Sequence, residues 1–284
     1  MIRKTHYALA LILVGLALGA CGKKEEAQPQ AEQAPAVQTP KITPGEMVLI
    51  PAGEYTIGTK EKKDADGKIS DAYPEHKVKL DAFWIDKYEV TNTQYLDFSV
   101  NTSYVAEGES EGKTWRTFFS PDKANTPVVY LTWKDAEAYC KAGGKRLPTE
   151  EEWEAAARGS EGLRYPWGNQ WDNNRTNTAE AGYRVPMDIG MFDDVSPFGV
   201  HDMFGNVQEW TASWLKAYPG NASKNSNYGE RFRVVRGLSS RWFGGKASGL
   251  WARSAYLPNF LADFGFRCAK SATPEEAAKA APAK

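Results

Sequence analysis

The spacing of apolar positions divides this chain into stretches of different character. Residues 7–18 are almost continuously apolar, whereas residues 22–45, GKKEEAQPQAEQAPAVQTPKITPG, hold almost no large apolar side chain. A segment that can bury so little cannot offset its conformational entropy, which predicts a flexible tether over residues 21–45. Alternating runs begin at residue 46. EMVLIPAGEYTIGT sets two β-like runs around Pro51-Ala52-Gly53, and KVKLDAFWIDKYEVTN continues the alternation in the manner of hairpin strands. A helical rhythm follows Thr91 or Asn92, either of which can cap a helix carrying Gln94, Tyr95 and Phe98. Thr132 caps a second helix, WKDAEAYCKAGG, closed by Gly143-Gly144. Thr149 and Glu152 have capping-box spacing ahead of a third, which has acidic side chains at its positive end and stops at Gly159. No period persists beyond it. Residues 233–270, RVVRGLSSRWFGGKASGLWARSAYLPNFLADFGFRCAK, interleave Trp, Phe and Leu with Arg, Ser and paired Gly, which suggests loops that display their side chains. The expectation is an α+β fold with few helices and much irregular backbone, one domain over residues 46–270, and a disordered tail over residues 271–284.

The first residues place the chain. Arg3 and Lys4 precede the apolar run and Leu18-Gly19-Ala20-Cys21 ends it, the order of a secretory signal. The run is too short to cross a bilayer comfortably. The tetrapeptide resembles the bacterial lipoprotein processing box, which implies that residues 1–20 are removed and Cys21 carries lipid. Gly22 in place of Asp implies by the same resemblance the outer membrane rather than the inner, with the domain in the periplasm or at the cell surface.

Charge excludes one class of partner. With 35 basic and 36 acidic residues there is no basic field to hold nucleic acid. Aromatic residues at 12%, with 10 Trp and 25 Gly, describe a loop-rich domain with an aromatic core. Of three cysteines, Cys21 is assigned to lipid, which leaves Cys140 and Cys268 as an even pair in an exported chain. A disulfide is the economical reading, and two separate buried thiols are the alternative.

The blocks IPAGEYTIGT, DAFWIDKYEVTNTQYLDF, PVVYLTWKDAEAYCKAGGKRLPTEEEWEAAARG, YPWGN, FGVHDMFGNVQEW and RVVRG…WARSAY…GFRCAK occur in the order seen in the formylglycine-generating enzyme, or sulfatase-modifying factor, family. The resemblance spans nearly all of residues 46–270 and implies the irregular α+β architecture related to C-type lectins. Fold alone does not assign function, since the family holds oxidases, chromophore-maturation proteins, sulfoxide-synthase domains and noncatalytic binding proteins. The family motif matching HDMFGNVQEW implies a Ca²⁺ site at Asp202, Gly205, Val207 and Glu209, the middle two through main-chain oxygen, and such an oxygen-rich set suits that ion. A solvated turn with Glu209 paired to an Arg is the alternative. A second family calcium site would use Asn177 and Thr178, and that one stays open. Cys140 and Cys268 match the family's structural cysteines.

The resembling oxidases place two copper-binding cysteines between the RV-RG turn and the GFRCA strand, and this chain has none between Arg236 and Cys268. His76 and His201 are the histidines left after export, without metal-ligand spacing near this segment, so no copper is expected. In place of the family's Gly-Gly-Ser-Trp turn stand Leu238, Ser239, Ser240, Arg241, Trp242 and Phe243, and after WARSAY come Leu257, Asn259, Phe260, Leu261 and Phe264. A family-like frame around idiosyncratic residues resembles the variable proteins of diversity-generating retroelements. The resemblance implies a ligand-binding face made of Leu238, Ser240, Arg241, Trp242, Phe243, Leu257, Asn259, Phe260, Leu261 and Phe264, which aromatic and Arg side chains suit. Its ligand would be a protein or small molecule not identifiable from sequence. The expected function is lipid-anchored, calcium-supported binding, and the alternative is an oxidase or maturation role without the cysteine pair.

Overall fold

The computed structural model describes residues 43–64, 67–243 and 245–280. The signal over residues 1–20, Cys21 and nearly all of the tether lie outside these residues. Two antiparallel pairings come first. β1 (Met47–Ile50), β2 (Gly53–Ile57), β3 (His76–Leu80) and β4 (Phe83–Asp86) arise where the alternating pattern places strands, and β1 pairs with β4 while β2 pairs with β3.

The helices start at their caps. Thr91 rather than Asn92 caps α1 (Asn92–Thr102), with Gln94 closing the box. Its side chain accepts from the Gln94 N–H, so the first free donors of the helix are met locally. After the single turn α2 (Trp115–Phe118), Thr132 and Thr149 cap α3 (Trp133–Ala142) and α4 (Glu150–Arg158) in the same way, through Asp135 and Glu152. At the end of α4, Gly159 has φ 67° and an added Cβ would lie 2.8 Å from the Pro197 ring, so glycine is needed there.

Beyond α4 the chain is mostly irregular, and most of its regular part is a four-stranded sheet. β5 (Gln208–Trp214), β6 (Arg233–Arg236), β7 (Arg253–Tyr256) and β8 (Phe264–Gly265) are ordered β7-β6-β5-β8, with β8 parallel to β5. The two segments expected to display side chains are therefore the connections β6–β7 and β7–β8. β9 (Ala269–Ser271) returns to pair with β4, and the disulfide Cys140–Cys268 ties α3 to the residue before it.

One buried cluster gathers Trp153, Tyr165 and Phe204, and a second gathers Tyr95, Trp115, Trp210 and Phe266. α4 joins the first although it is rich in charge. Its Glu154 and Arg158 are buried, and Glu154 accepts from Arg158 Nη1 at 2.6 Å, from the Gly58 N–H at 2.8 Å and from Arg236.

The tail departs from expectation. Instead of disorder throughout residues 271–284, Ser271 ends β9 and α5 (Pro274–Ala280) forms with none of its side chains buried. Thr273 and Glu276 exchange the hydrogen bonds of a capping box, and Lys279 pairs with Glu275 one turn earlier.

Candidate functional site

Gly237, with φ 75°, turns the chain out of β6. The next residues take opposite sides. Leu238 is buried in the first core cluster, and Ser240 is fully buried with its N–H donating to Asn206 O at 2.9 Å. Both were expected on the displayed face, and the structure instead makes them anchors that hold the turn against the Asn206 loop. Phe264 is likewise corrected: on β8 it packs edge to face on Trp210 at 5.3 Å and belongs to the second core cluster. Leu261 is half-buried beside Gly108, where an added Cβ would meet it at 2.8 Å.

The remaining residues do stand out. Trp242 is 46% exposed and Phe243 59%, with Arg241 exposed beside them. On the β7–β8 connection Leu257 is 39% and Phe260 43% exposed, Asn259 is exposed, and the Phe260 ring stacks on Tyr256 at 5.0 Å. Arg241 Nε lies 3.6 Å from Asp263 Oδ2, which brings the two connections together.

Residues that sequence reasoning missed complete the surface. Tyr183 and Val185 are about half exposed, and the Arg184 guanidinium lies 4.9 Å from the Phe243 ring centroid. They come from a stretch without periodicity. The Trp242 carbonyl accepts from the Ala179 N–H at 3.2 Å and the Gly245 N–H donates to Glu180 Oε1 at 2.9 Å, so this stretch is clamped to the turn.

Behind Ser240 lies the expected calcium motif. Asp202, Gly205 and Asn206 all have positive φ, and an added Cβ on Gly205 would lie 2.5 Å from Thr176 Oγ1. Glu209 is buried with one guanidinium across both oxygens: Arg267 Nη2 donates to Oε1 and Nε to Oε2, both at 2.8 Å, and Trp153 Nε1 also donates to Oε2. The alternative of an Arg-paired Glu209 is thus realised, although in a buried setting. Asp202 differs. It accepts from the Gly190 N–H at 2.6 Å. Burial pushes its carboxyl up to about 6, and burial together with the Asp202 charge drives Glu89 and Asp194 well above the usual carboxylate range.

Glu89, Asp194 and Asp202 are buried carboxylates that feel the charge of Arg267, which is itself hydrogen-bonded to Glu209, and Asp194 Oδ1 has no hydrogen-bond partner. A buried carboxylate oxygen left without a partner, among oxygen donors only, fits a hard cation. Among the described residues no three His, Cys, Asp or Glu side chains are grouped to ligate a metal by themselves, so main-chain oxygens would have to complete the set. Asn177 Oδ1 and Thr178 Oγ1 are also buried without partners. His201 stacks on Tyr88, and His76 packs on Tyr218 in another part of the fold.

A family model described as a sulfatase-modifying factor enzyme 1-like domain matches residues 32–272. The chain is 32% identical to a Mus musculus protein named inactive C-alpha-formylglycine-generating enzyme 2, across 80% of this chain and 86% of that one. It is 30% identical to the formylglycine-generating enzyme of Bos taurus, across 81% and 76%. Among solved structures, PvdO from Pseudomonas aeruginosa superposes with a TM-score of 0.61 at 28% identity, covering 80% of this chain and 94% of that one. Treponema denticola variable protein 1 shares the fold, with a TM-score of 0.58 at 21% identity and coverage of 80% and 95%.

Proposed function

Since this chain belongs to the sulfatase-modifying factor enzyme 1-like family, and no cysteine lies between Arg236 and Cys268, we propose that it is a binding protein, lipid-anchored at Cys21 in the bacterial envelope, in which the family's oxidase site has become a recognition face. The observation that carries this reading is the turn after β6. Where the resembling oxidases hold reactive thiols, this chain exposes Arg241, Trp242 and Phe243, and its two domain cysteines are spent in the Cys140–Cys268 bridge. Thiolate chemistry needs a free thiolate, and copper of the family type needs soft ligands that this turn does not offer. A mammalian relative named as inactive supports the view that the frame persists without the reaction.

Calcium is the proposed structural ion. Asp202 and Glu209 would hold it with main-chain oxygens of Gly205 and Val207, offsetting the negative charge gathered around Arg267 and stiffening the loop to which Ser240 is bonded. Gly22 after the lipidated cysteine supports the outer membrane as its location.

A variant with Arg241, Trp242, Phe243 and Phe260 all changed to Ala should keep its melting temperature and lose capture of ligand from envelope extracts. Capture undiminished in a folded variant would sink the binding reading. Incubation with copper and a cysteine-containing sulfatase peptide should leave the peptide mass unchanged, and an aldehyde product at multiple turnovers would restore the oxidase alternative.

A further inference from the structure

Beside the exposed turn lies a cavity of about 160 Å³ whose wall includes Arg241 itself. Arg241 comes from the β6–β7 connection, Lys123 from the loop after α2, and Asn92 from the first turn of α1. Phe118, Val185 and Pro186 supply apolar wall, and Phe118 is held by face-to-face stacking on Tyr130 at 3.9 Å. Lys123 and Arg241 are both exposed cations, and Arg241 has only the loose 3.6 Å approach to Asp263.

Asn92 adds an independent feature. It is almost wholly buried, and its Nδ2 donates to Lys123 O at 3.0 Å and Thr126 Oγ1 at 2.8 Å, which settles which end of the amide is oxygen. Its Oδ1 has no partner, and a buried acceptor left in that state calls for a donor. The residues lining the cavity therefore bring two cations, one unmet acceptor and an apolar wall.

We infer that this cavity, as part of the recognition face proposed above and resting on that reading, takes a ligand with a terminal carboxylate, a neighbouring amide N–H and an apolar side chain. The carboxylate meets Lys123 and Arg241, the N–H meets Asn92 Oδ1, and the side chain lies on Phe118, Val185 and Pro186. Two sources share this chemistry: an N-acylated apolar amino acid, and the C-terminal residue of a peptide.

The test is calorimetric titration of the full mature chain with N-acetyl-L-phenylalanine and with the peptide acetyl-Gly-Gly-Phe. Tighter binding of the peptide assigns the C-terminal source, and equal binding assigns the free acyl amino acid. The uncharged N-acetyl-L-phenylalaninamide should bind at least about tenfold more weakly, because a charge-assisted contact is lost. 3-Phenylpropionate, which lacks the N–H, should lose about tenfold as well. Lys123→Gln should weaken the acid about tenfold at an unchanged melting temperature and leave the amide unaffected. The Asn92 side-chain amide signal in a ¹H–¹⁵N spectrum should shift on titration, a readout that leaves the start of α1 intact. Equal affinity for acid and amide, an unaffected Lys123→Gln variant, a static Asn92 signal, or no binding of either acid overturns the inference. If neither acid binds while the four-alanine variant still loses capture, only the cavity assignment falls. If the acids bind as expected and a variant with only Trp242, Phe243 and Phe260 changed to Ala captures normally, the aromatic face falls instead.

Discussion

The ionic interior around α4 and the turn after β6 invert the usual distribution of side chains. Inside, Arg236 and Arg267 are fully buried. Arg236 meets Glu154 and the carbonyls of Leu250 and Trp251, and Arg267 meets Glu209, His201 O and the carbonyls of Asp86 and Lys87. A few residues beyond Arg236, Trp242 and Phe243 stand in solvent. The charges are tolerated because nearly every donor is matched, whereas the Trp242 and Phe243 rings are left largely in solvent. The difference separates two tasks. Matched ion pairs joining distant segments hold the irregular backbone in one arrangement, and the exposed Trp242 and Phe243 rings take no part in those pairs.

The strongest way to break the contrast is Glu154→Ala, which leaves Arg158 and Arg236 buried without their carboxylate. Denaturant unfolding should show a loss of about 5 kcal/mol or failure to fold, against a negligible loss if the network were dispensable. Reduction of Cys140–Cys268, which spans 128 residues of sequence, should cost about 5 kcal/mol in the chain-entropy account, and oxidised protein should show no free thiol on denaturation. Calcium at 100 times its dissociation constant should raise stability by about 2.7 kcal/mol over chelator, and Asp202→Ala should abolish that increment. Identical melting curves with calcium and with chelator would remove the ion from the frame.

His201 sharpens the comparison through pH. Burial, with Lys87 and Arg267 nearby, pushes its pKa down from 6.5 to about 4. The unfolded chain therefore takes the proton at a higher pH than the native one. Its contribution is present above pH 6.5 and lost as pH falls toward 4, so the gap between wild type and His201→Gln should narrow across that window. The smallest effect belongs to the turn. Trp242→Ala should change stability by no more than about 0.5 kcal/mol, and a loss of several kcal/mol would place that ring in the core after all.

Local chemistry explains what could be read in advance. Thr91, Thr132 and Thr149 announce helices because a cap is settled within four residues of sequence. Thr273-Pro274-Glu275-Glu276 carries the same signal ahead of α5, which the low apolar content of the tail obscured. The ordered blocks also located the turn after β6 and the calcium motif. By contrast, Leu238 and Trp242 lie four residues apart in a run with no period, and nothing in the run states that one is buried and the other exposed.

The sequence by itself determined the caps at Thr132 and Thr149, the presence of just two cysteines after residue 21 and the absence of thiols from the turn, since each depends on residue identity or on neighbours along the chain. Only the tertiary structure decided that Leu238, Ser240 and Phe264 face inward, that Arg267 pairs with Glu209, and that Lys123, Asn92 and Arg241 line one cavity. Those outcomes depend on contacts between residues far apart in sequence, and in an aperiodic segment the side each residue faces is set by what the rest of the fold packs against it.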